Sequence, residues 1–238
     1  PDTYHPGGIQ VTGHILAVAN ACDRKCRREG PWVDLYDVSN PEAVARPVNA
    51  LTLGRAGEPK LGKSITAVGI TRLEDGRYFV LATSEGSDRE GRAWAYVSSD
   101  TTLRSGTTWS YLGFLEGDST LQDWASHYEN INLLTECGSG RIYLTAMKAD
   151  GGRAGDSHFI DVYRMEPGLR TTRLFREELT ARVDGCSLRD GGGFHVSPNG
   201  KLVFYCVEGY ERVGVDGVTD PELEEFRDKS FDDRPGSY

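Results

Sequence analysis

The sequence contains no long apolar run and no excess of positive charge. No stretch approaches the roughly 18 consecutive apolar residues that a membrane-spanning helix needs, and no charged-then-apolar signal segment opens the chain. The 27 Lys and Arg residues are outnumbered by 36 Asp and Glu residues, which gives a formal net charge of -9. This composition argues against membrane insertion and against the broad basic face that nucleic acid or anionic lipid would require.

Cysteine is also scarce, and its number is odd. The five residues allow at most two internal disulfides and leave one thiol unpaired. We predict a disulfide between Cys22 and Cys26, which share one polar stretch, because such a pair can close a small loop in an oxidising compartment. A zinc site is the alternative, but no second Cys pair of matching spacing completes four ligands. The first residue is Pro1 rather than Met, and we expect a processed or excised chain with a secreted or periplasmic location.

What the chain has in quantity is glycine. It contains 29 Gly and 10 Pro in 238 residues, a mixture typical of many short strands joined by many turns. Helix is not favoured anywhere. We therefore expect an all-β fold, and at this length an all-β protein commonly forms one domain, here residues 1–238.

Four segments repeat along the chain. They align so that Gly8, Gly69, Asn132 and His195 become equivalent, with separations of 61, 63 and 63 residues. Each segment is followed by a turn and then by an apolar run, at 15–19, 78–82, 142–146 and 202–206. Asp-Gly and Asn-Gly in these turns supply the positive φ that tight hairpins need. Each repeat is therefore predicted to open with a hairpin whose second strand is buried on both faces.

Further strands keep step with this period. A third strand is predicted at 32–36, 92–96, 159–163 and 223–226, and a fourth at about 48–53, 109–115 and 173–179. The last copy lacks a fourth strand. The repeats are thus approximately 1–61, 62–124, 125–187 and 188–238, mostly with four antiparallel strands each.

The chain resembles β-propeller repeat proteins along its whole length. In particular it resembles exported bacterial propeller-like sequences with His-Pro-Gly-Gly-Ile-Gln, here 5–10, and Asn-Ile-Asn, here 130–132. The resemblance implies a propeller of four-stranded blades and no particular chemistry. Because the last blade is incomplete, the chain is either a compact four-bladed ring or part of a larger one. A two-sheet sandwich is the rival fold.

In a propeller, the loops that enter the innermost strands share one face with the loops joining second to third strands. Both sets are long and polar here, whereas the hairpin turns are tight, so this face is expected to carry function. The residues that open the innermost strands would meet there near the axis. The predicted ligand-binding residues are His5, Glu129, Asn130, Asn132, Asp190 and His195.

Glu129, Asn130 and Asn132 could also hold a metal ion. Carboxylate and amide oxygens suit Ca²⁺, whereas His would favour a transition metal. Propellers resembling gluconolactonase and paraoxonase place such a site at this position, where a metal polarises an ester carbonyl. Taken singly, each residue could instead satisfy backbone groups of a loop.

Two functions therefore stay open. One is an exported binding or scaffold propeller that presents the long-loop face to a protein, a glycan or a small molecule. The other is a Ca²⁺-dependent hydrolase of the lactonase or esterase type.

Overall fold

Strands account for nearly all regular structure in the computed structural model. It describes residues 4–22, 31–43, 46–54, 65–84, 92–115, 128–149, 157–180, 186–197, 200–208 and 223–226. Within these ranges there are fifteen strands and one short 3-10 turn, Pro41–Ala43. No helix in these ranges is long and apolar enough to cross a membrane.

The strands form four antiparallel sheets, which we call blades 1 to 4. Blade 1 consists of β1 (Tyr4–Thr12), β2 (Ile15–Cys22), β3 (Trp32–Asp37) and β4 (Asn49–Thr52). Blade 2 consists of β5 (Ile65–Arg72), β6 (Tyr78–Ser84), β7 (Arg92–Ser98) and β8 (Trp109–Phe114). Blade 3 consists of β9 (Tyr128–Thr135), β10 (Ile142–Ala149), β11 (Ser157–Glu166) and β12 (Arg170–Thr180). Blade 4 consists of β13 (Cys186–Val196), β14 (Leu202–Glu208) and β15 (Leu223–Phe226).

This architecture confirms the predicted all-β propeller. Each blade pairs only strands that are consecutive in the chain, and the first strand of each blade packs against that of the next. Every predicted strand is present, and blade 4 has three strands among the described residues. The two-sheet sandwich is wrong, because the strands divide into four sheets rather than two.

Glycine fixes the four hairpins that begin the blades. Gly13, Gly76, Gly140 and Gly200 stand in the turns between first and second strands, with φ of 58°, 85°, 65° and 80°. Side chains other than Asn or Asp are strongly disfavoured in this left-handed region. The repeated turn therefore returns each second strand to the same end of the ring.

The hydrophobic core lies between the blades. The second strands of blades 2 and 3 are buried on both faces, and in β6 Phe79 and Leu81 face blade 3 while Val80 and Ala82 face blade 1. This two-sided burial explains why these strands are continuous apolar runs in the sequence. Between blades 3 and 4, the buried apolar residues in the described part of the chain are Met147, Ile160, Leu188 and Phe204.

One polar side chain fills the axis between blades 1, 2 and 3. The side-chain amide of Gln10 donates to the carbonyl of Leu133 at 2.8 Å. Its oxygen accepts from the backbone N–H groups of Ile70 and Leu133, both at 2.8 Å. Gln10 thereby satisfies edge groups of two innermost strands that have no further strand to pair with.

The described blades form an open arc. First strands pack in the order β1, β5, β9 and β13, but the described residues show no packing of comparable extent between β13 and β1. Ile9 and Val11 of β1 are 49% and 53% exposed. Blade 1 therefore presents one apolar face that no described blade covers.

Candidate functional site at the start of the innermost strands

All four innermost strands are bulged near their first residues. The register shifts between Pro6 and Ile9 in β1, between Ile65 and Ala67 in β5, and between Ser187 and Gly192 in β13. In β9 the extra residue is Glu129. Bulges break pairing and redirect side chains, and they occur often beside functional sites. They lie at the end of the ring opposite the hairpins, where the sequence predicts the ligand.

The bulges are tied to one another. A Cβ at Gly7 would lie 2.4 Å from the carbonyl oxygen of Thr66, so the bulge of β1 touches that of β5 through backbone alone. The Thr66 hydroxyl in turn lies 3.0 Å from the hydroxyl of Thr83. On the other side, Nδ1 of His158 in blade 3 accepts from the N–H of Leu188 in the β13 bulge at 3.3 Å. The bulges of blades 1 and 2 thus contact each other, and the bulge of blade 4 is hydrogen-bonded to blade 3.

Glu129 has no partner in the strand ladder. Tyr128 pairs with Lys148 and Asn130 pairs with Met147, which leaves Glu129 as the bulged residue between the two pairs. The backbone of Glu129 is therefore placed by its two neighbours. Its side chain lies outside the described part of the structure.

Asn130 and Asn132 lie on one face of β9, turned toward blade 4. Both are 4% exposed, yet Oδ1 of Asn130 and Nδ2 of Asn132 have no hydrogen-bond partner among the described residues. Thr145, which pairs with Asn132 across the ladder, is 1% exposed, and its hydroxyl also lacks a described partner. Leaving one such group unpaired costs about 1–3 kcal/mol. Three of them together form a polar patch with unused donors and acceptors.

This patch does not by itself resemble a metal site. The described residues contain no group of three or more His, Cys, Asp or Glu side chains able to hold a metal ion. The unpartnered atom of Asn132 is an amide nitrogen, whereas Ca²⁺ takes oxygen ligands. Ca²⁺ binding by Glu129, Asn130 and Asn132 stays a prediction, because the Glu129 carboxylate is not described.

The structure places His195 and Asn132 at different levels of their strands. Asn132 pairs with the fourth residue of β10, but His195 pairs with Val203, the second residue of β14, so His195 lies two residues nearer the hairpin. It is exposed on the face of blade 4 away from blade 3 and stacks on Tyr205, with ring centroids 5.3 Å apart. The alignment of His195 with Asn132 is thus shifted by the long bulge of β13.

The remaining predicted residues are described only in part. The backbone of His5 pairs with Ala21 in β1, and Asp190 lies within the β13 bulge, but neither side chain is described. The predicted disulfide between Cys22 and Cys26 also falls outside the described side chains. Cys137, in the turn before β10, is an exposed free thiol.

The sequence reasoning missed a buried polar network next to Glu129. The hydroxyl of Tyr128 donates to Oδ2 of Asp161 at 2.6 Å and lies 3.0 Å from the hydroxyl of Tyr163. Arg176 donates to both oxygens of Asp161, at 2.7 Å through Nε and 2.8 Å through Nη2. The available signal was Asp161 itself, a carboxylate between the apolar residues Ile160 and Val162.

Burial and charge fix the protonation of this network. Burial and the neighbouring groups Tyr163 and Asp161 hold the pKa of Tyr128 far above its ordinary value. Hydrogen bonding to Asp161 likewise raises the pKa of Arg176. Tyr128 therefore stays a hydrogen-bond donor, and Arg176 a cation, over any working pH range.

No family model and no curated protein matches the sequence. Solved structures do match in fold. A candidate glycosidase from Bacteroides thetaiotaomicron has a TM-score of 0.56 at 12% identity, covering 94% of this chain and 68% of its own. A structure from the GH130 family, whose glycoside hydrolases target β-1,2 mannosidic linkages in Candida mannan, has a TM-score of 0.52 at 12% identity, covering 87% and 60%.

The GH32 β-fructofuranosidase BmSUC1 of Bombyx mori has a TM-score of 0.50 at 17% identity, covering 90% of this chain and 45% of its own. The chain therefore spans between about half and two thirds of the length of these structures. They are five-bladed β-propellers. At such low identity the likeness establishes the fold.

Proposed function

We propose that this protein binds and hydrolyses a glycan at the bulged end of the innermost strands. The observation that carries the proposal is the patch of Asn130, Asn132 and Thr145, whose buried amide and hydroxyl atoms lack partners beside the bulge at Glu129. Sugar hydroxyls both donate and accept hydrogen bonds, so they match a patch that offers both. The glycoside hydrolases among the structures of similar fold support the same ligand class.

Glycoside hydrolysis ordinarily needs two carboxyl groups, one to protonate the leaving oxygen and one to act as nucleophile or base. In this proposal Glu129 is one of them. Asp190 is the candidate for the other, because it lies in the bulge of β13, the innermost strand that packs against β9. The Asn side chains would orient the sugar between them.

The test is a screen of oligosaccharides for binding and release of reducing sugar, followed by Glu129→Gln. This substitution keeps the shape of the side chain and removes the carboxylate. We expect turnover to fall at least about a hundredfold, the usual contribution of a catalytic acid or base. Binding should persist, because the Asn side chains remain.

Glu42→Gln is the matched control, since Glu42 is exposed in the 3-10 turn at the opposite end of blade 1. It should leave turnover unchanged. The proposal fails if no glycan is bound or cleaved, or if Glu129→Gln retains full activity on a glycan that wild type cleaves. Activity that a chelator abolishes and Ca²⁺ restores, on an ester and not on a glycan, would favour the lactonase alternative instead.

A further inference from the structure

The network of Tyr128, Asp161 and Arg176 crosses the whole of blade 3. It joins the innermost strand β9 to β11 and to the outermost strand β12. Asp161 is fully buried, and Tyr128 and Tyr163 are each 1% exposed. Because Tyr128 donates to Asp161, the hydroxyl of Tyr163 is left to donate to Tyr128. The Asp161 carboxylate thus accepts three hydrogen bonds, two of them from a guanidinium.

Stability alone does not account for this arrangement. Burying the Asp161 carboxylate costs desolvation, and apolar replacements of similar volume for buried ionic groups are often as stable or more so. The neighbouring blades show that the fold has other solutions at this position. The third strands of blades 1 to 3 each contain a Tyr, and the residue two positions before it is equivalent in the three blades. Blade 2 has Trp94 at this position, whose ring centroid lies 5.4 Å from that of Phe114.

Blade 1 has a carboxylate at the equivalent position but uses it differently. Asp34 accepts from Trp32 at 3.0 Å and from Asn20 at 3.1 Å, and it is only half-buried. Neither partner belongs to the innermost strand. Among the described residues, a carboxylate at this position holds the first strand only in blade 3, the blade that carries Glu129.

We propose that Tyr128, Asp161 and Arg176 are positioning residues that fix the bulge at Glu129, a role that rests on the function proposed above. Tyr128 precedes Glu129 directly, and a bulged residue has no cross-strand partner to hold it. Tyr128 is anchored through its hydroxyl to the buried carboxylate of Asp161, which also pairs with the partly exposed Arg176. Ile131 is anchored in the core between blades 2 and 3. The backbone of Glu129 is therefore held between two fixed residues, one directly before it and one two positions after it.

The test compares Tyr128→Phe with Tyr96→Phe. Both residues are Tyr at 1% exposure, but Tyr96 belongs to blade 2 and is remote from the bulge. In Tyr128→Phe we expect amide hydrogen exchange at residues 129–131 to accelerate roughly tenfold, because the bulge opens locally. On the glycan found in the screen, kcat should fall about tenfold or more with KM nearly unchanged, since a displaced catalytic group slows the chemical step. Tyr96→Phe should lower the Tm without either effect.

Asp161→Asn provides a second variant of the same network. It keeps the shape of the side chain but removes the charge to which Arg176 and Tyr128 donate. We expect the same faster amide exchange at residues 129–131 and the same loss of kcat as in Tyr128→Phe. The positioning role is overturned if Tyr128→Phe lowers only the Tm and leaves exchange at 129–131 as slow as in Tyr96→Phe. The exchange measurement uses no glycan, so failure of the proposed function and failure of the positioning role give different results.

Discussion

At the scale of single residues, Gln10 shows how one side chain links the innermost strands of three blades. Its side chain bonds to Ile70 of blade 2 and twice to Leu133 of blade 3, at 2.8 Å each time. Innermost strands leave edge N–H and C=O groups without a strand partner, and such groups are expensive to bury unpaired. The side-chain amide of Gln10, which both donates and accepts, supplies hydrogen-bond partners to such edge groups in two blades.

Replacing Gln10 by Leu should therefore destabilise the protein by about 3 kcal/mol. Leu has similar size but leaves two N–H groups and one carbonyl buried without partners. Urea denaturation measures the loss. Val11→Thr is the control on the same strand, because Val11 is 53% exposed, and it should change stability by less than about 0.5 kcal/mol. Equal stability of the two variants would contradict the bridging role of Gln10.

At the scale of elements, the bulges are what the sequence does not reveal. An extra residue in a strand leaves composition and periodicity almost unchanged, so the repeat alignment predicted all fifteen strands but not the register within β1 and β13. The alignment placed His195 level with Asn132, and the register of β13 moves it two residues toward the hairpin. The strands themselves were predictable, because burial on both faces makes them apolar and the hairpins need Gly.

The contact between the first two bulges can be tested with Gly7→Ala. The added methyl would lie 2.4 Å from the carbonyl oxygen of Thr66, and backbone cannot give way as a flexible side chain can. We expect a loss of about 1–3 kcal/mol, the usual cost of overpacking. Gly106→Ala is the matched control, since a Cβ there meets nothing within 4 Å. Thermal melting of both variants checks this, and a Gly7→Ala protein as stable as wild type would show that the bulges do not touch.

The Asp161 network was hidden for a related reason. A lone Asp in the third strand of blade 3 was visible, but its partners Tyr128 and Arg176 stand 33 and 15 residues away. Nothing in local pattern connects them. Of the candidate site, the sequence could thus indicate Glu129, Asn130 and Asn132 at one strand start, while the groups that hold this start required the tertiary structure.

At the scale of the whole molecule, the blades differ in how firmly they are held. Among the described residues, the cluster between blades 1 and 2 contains 16 buried apolar residues, that between blades 2 and 3 contains 12, and that between blades 3 and 4 contains 4. Since local stability follows apolar burial, blade 4 should open most readily. Native-state hydrogen exchange should show β13 and β14 least protected and β5, β6, β9 and β10 most protected. Uniform protection across the four blades would contradict this order.

This difference in apolar burial matters for the proposed function, because the proposed site lies between blade 3, which has more buried apolar residues, and blade 4, which has fewer. Glu129, Asn130 and Asn132 belong to β9 of blade 3, whereas Asp190 belongs to the bulge of β13 in blade 4. Ligand binding across this boundary should tighten blade 4 and slow amide exchange in β13. An exchange rate in β13 unchanged by a bound glycan would place the ligand elsewhere.

A crystal structure with an oligosaccharide from the screen tests the central claim most directly. We predict the sugar at the bulged end of the innermost strands, with its hydroxyls on Asn130 and Asn132 and its glycosidic oxygen beside the carboxyl group of Glu129. A sugar bound at the hairpin end of the ring, or on the outer strands away from β9, would contradict this account.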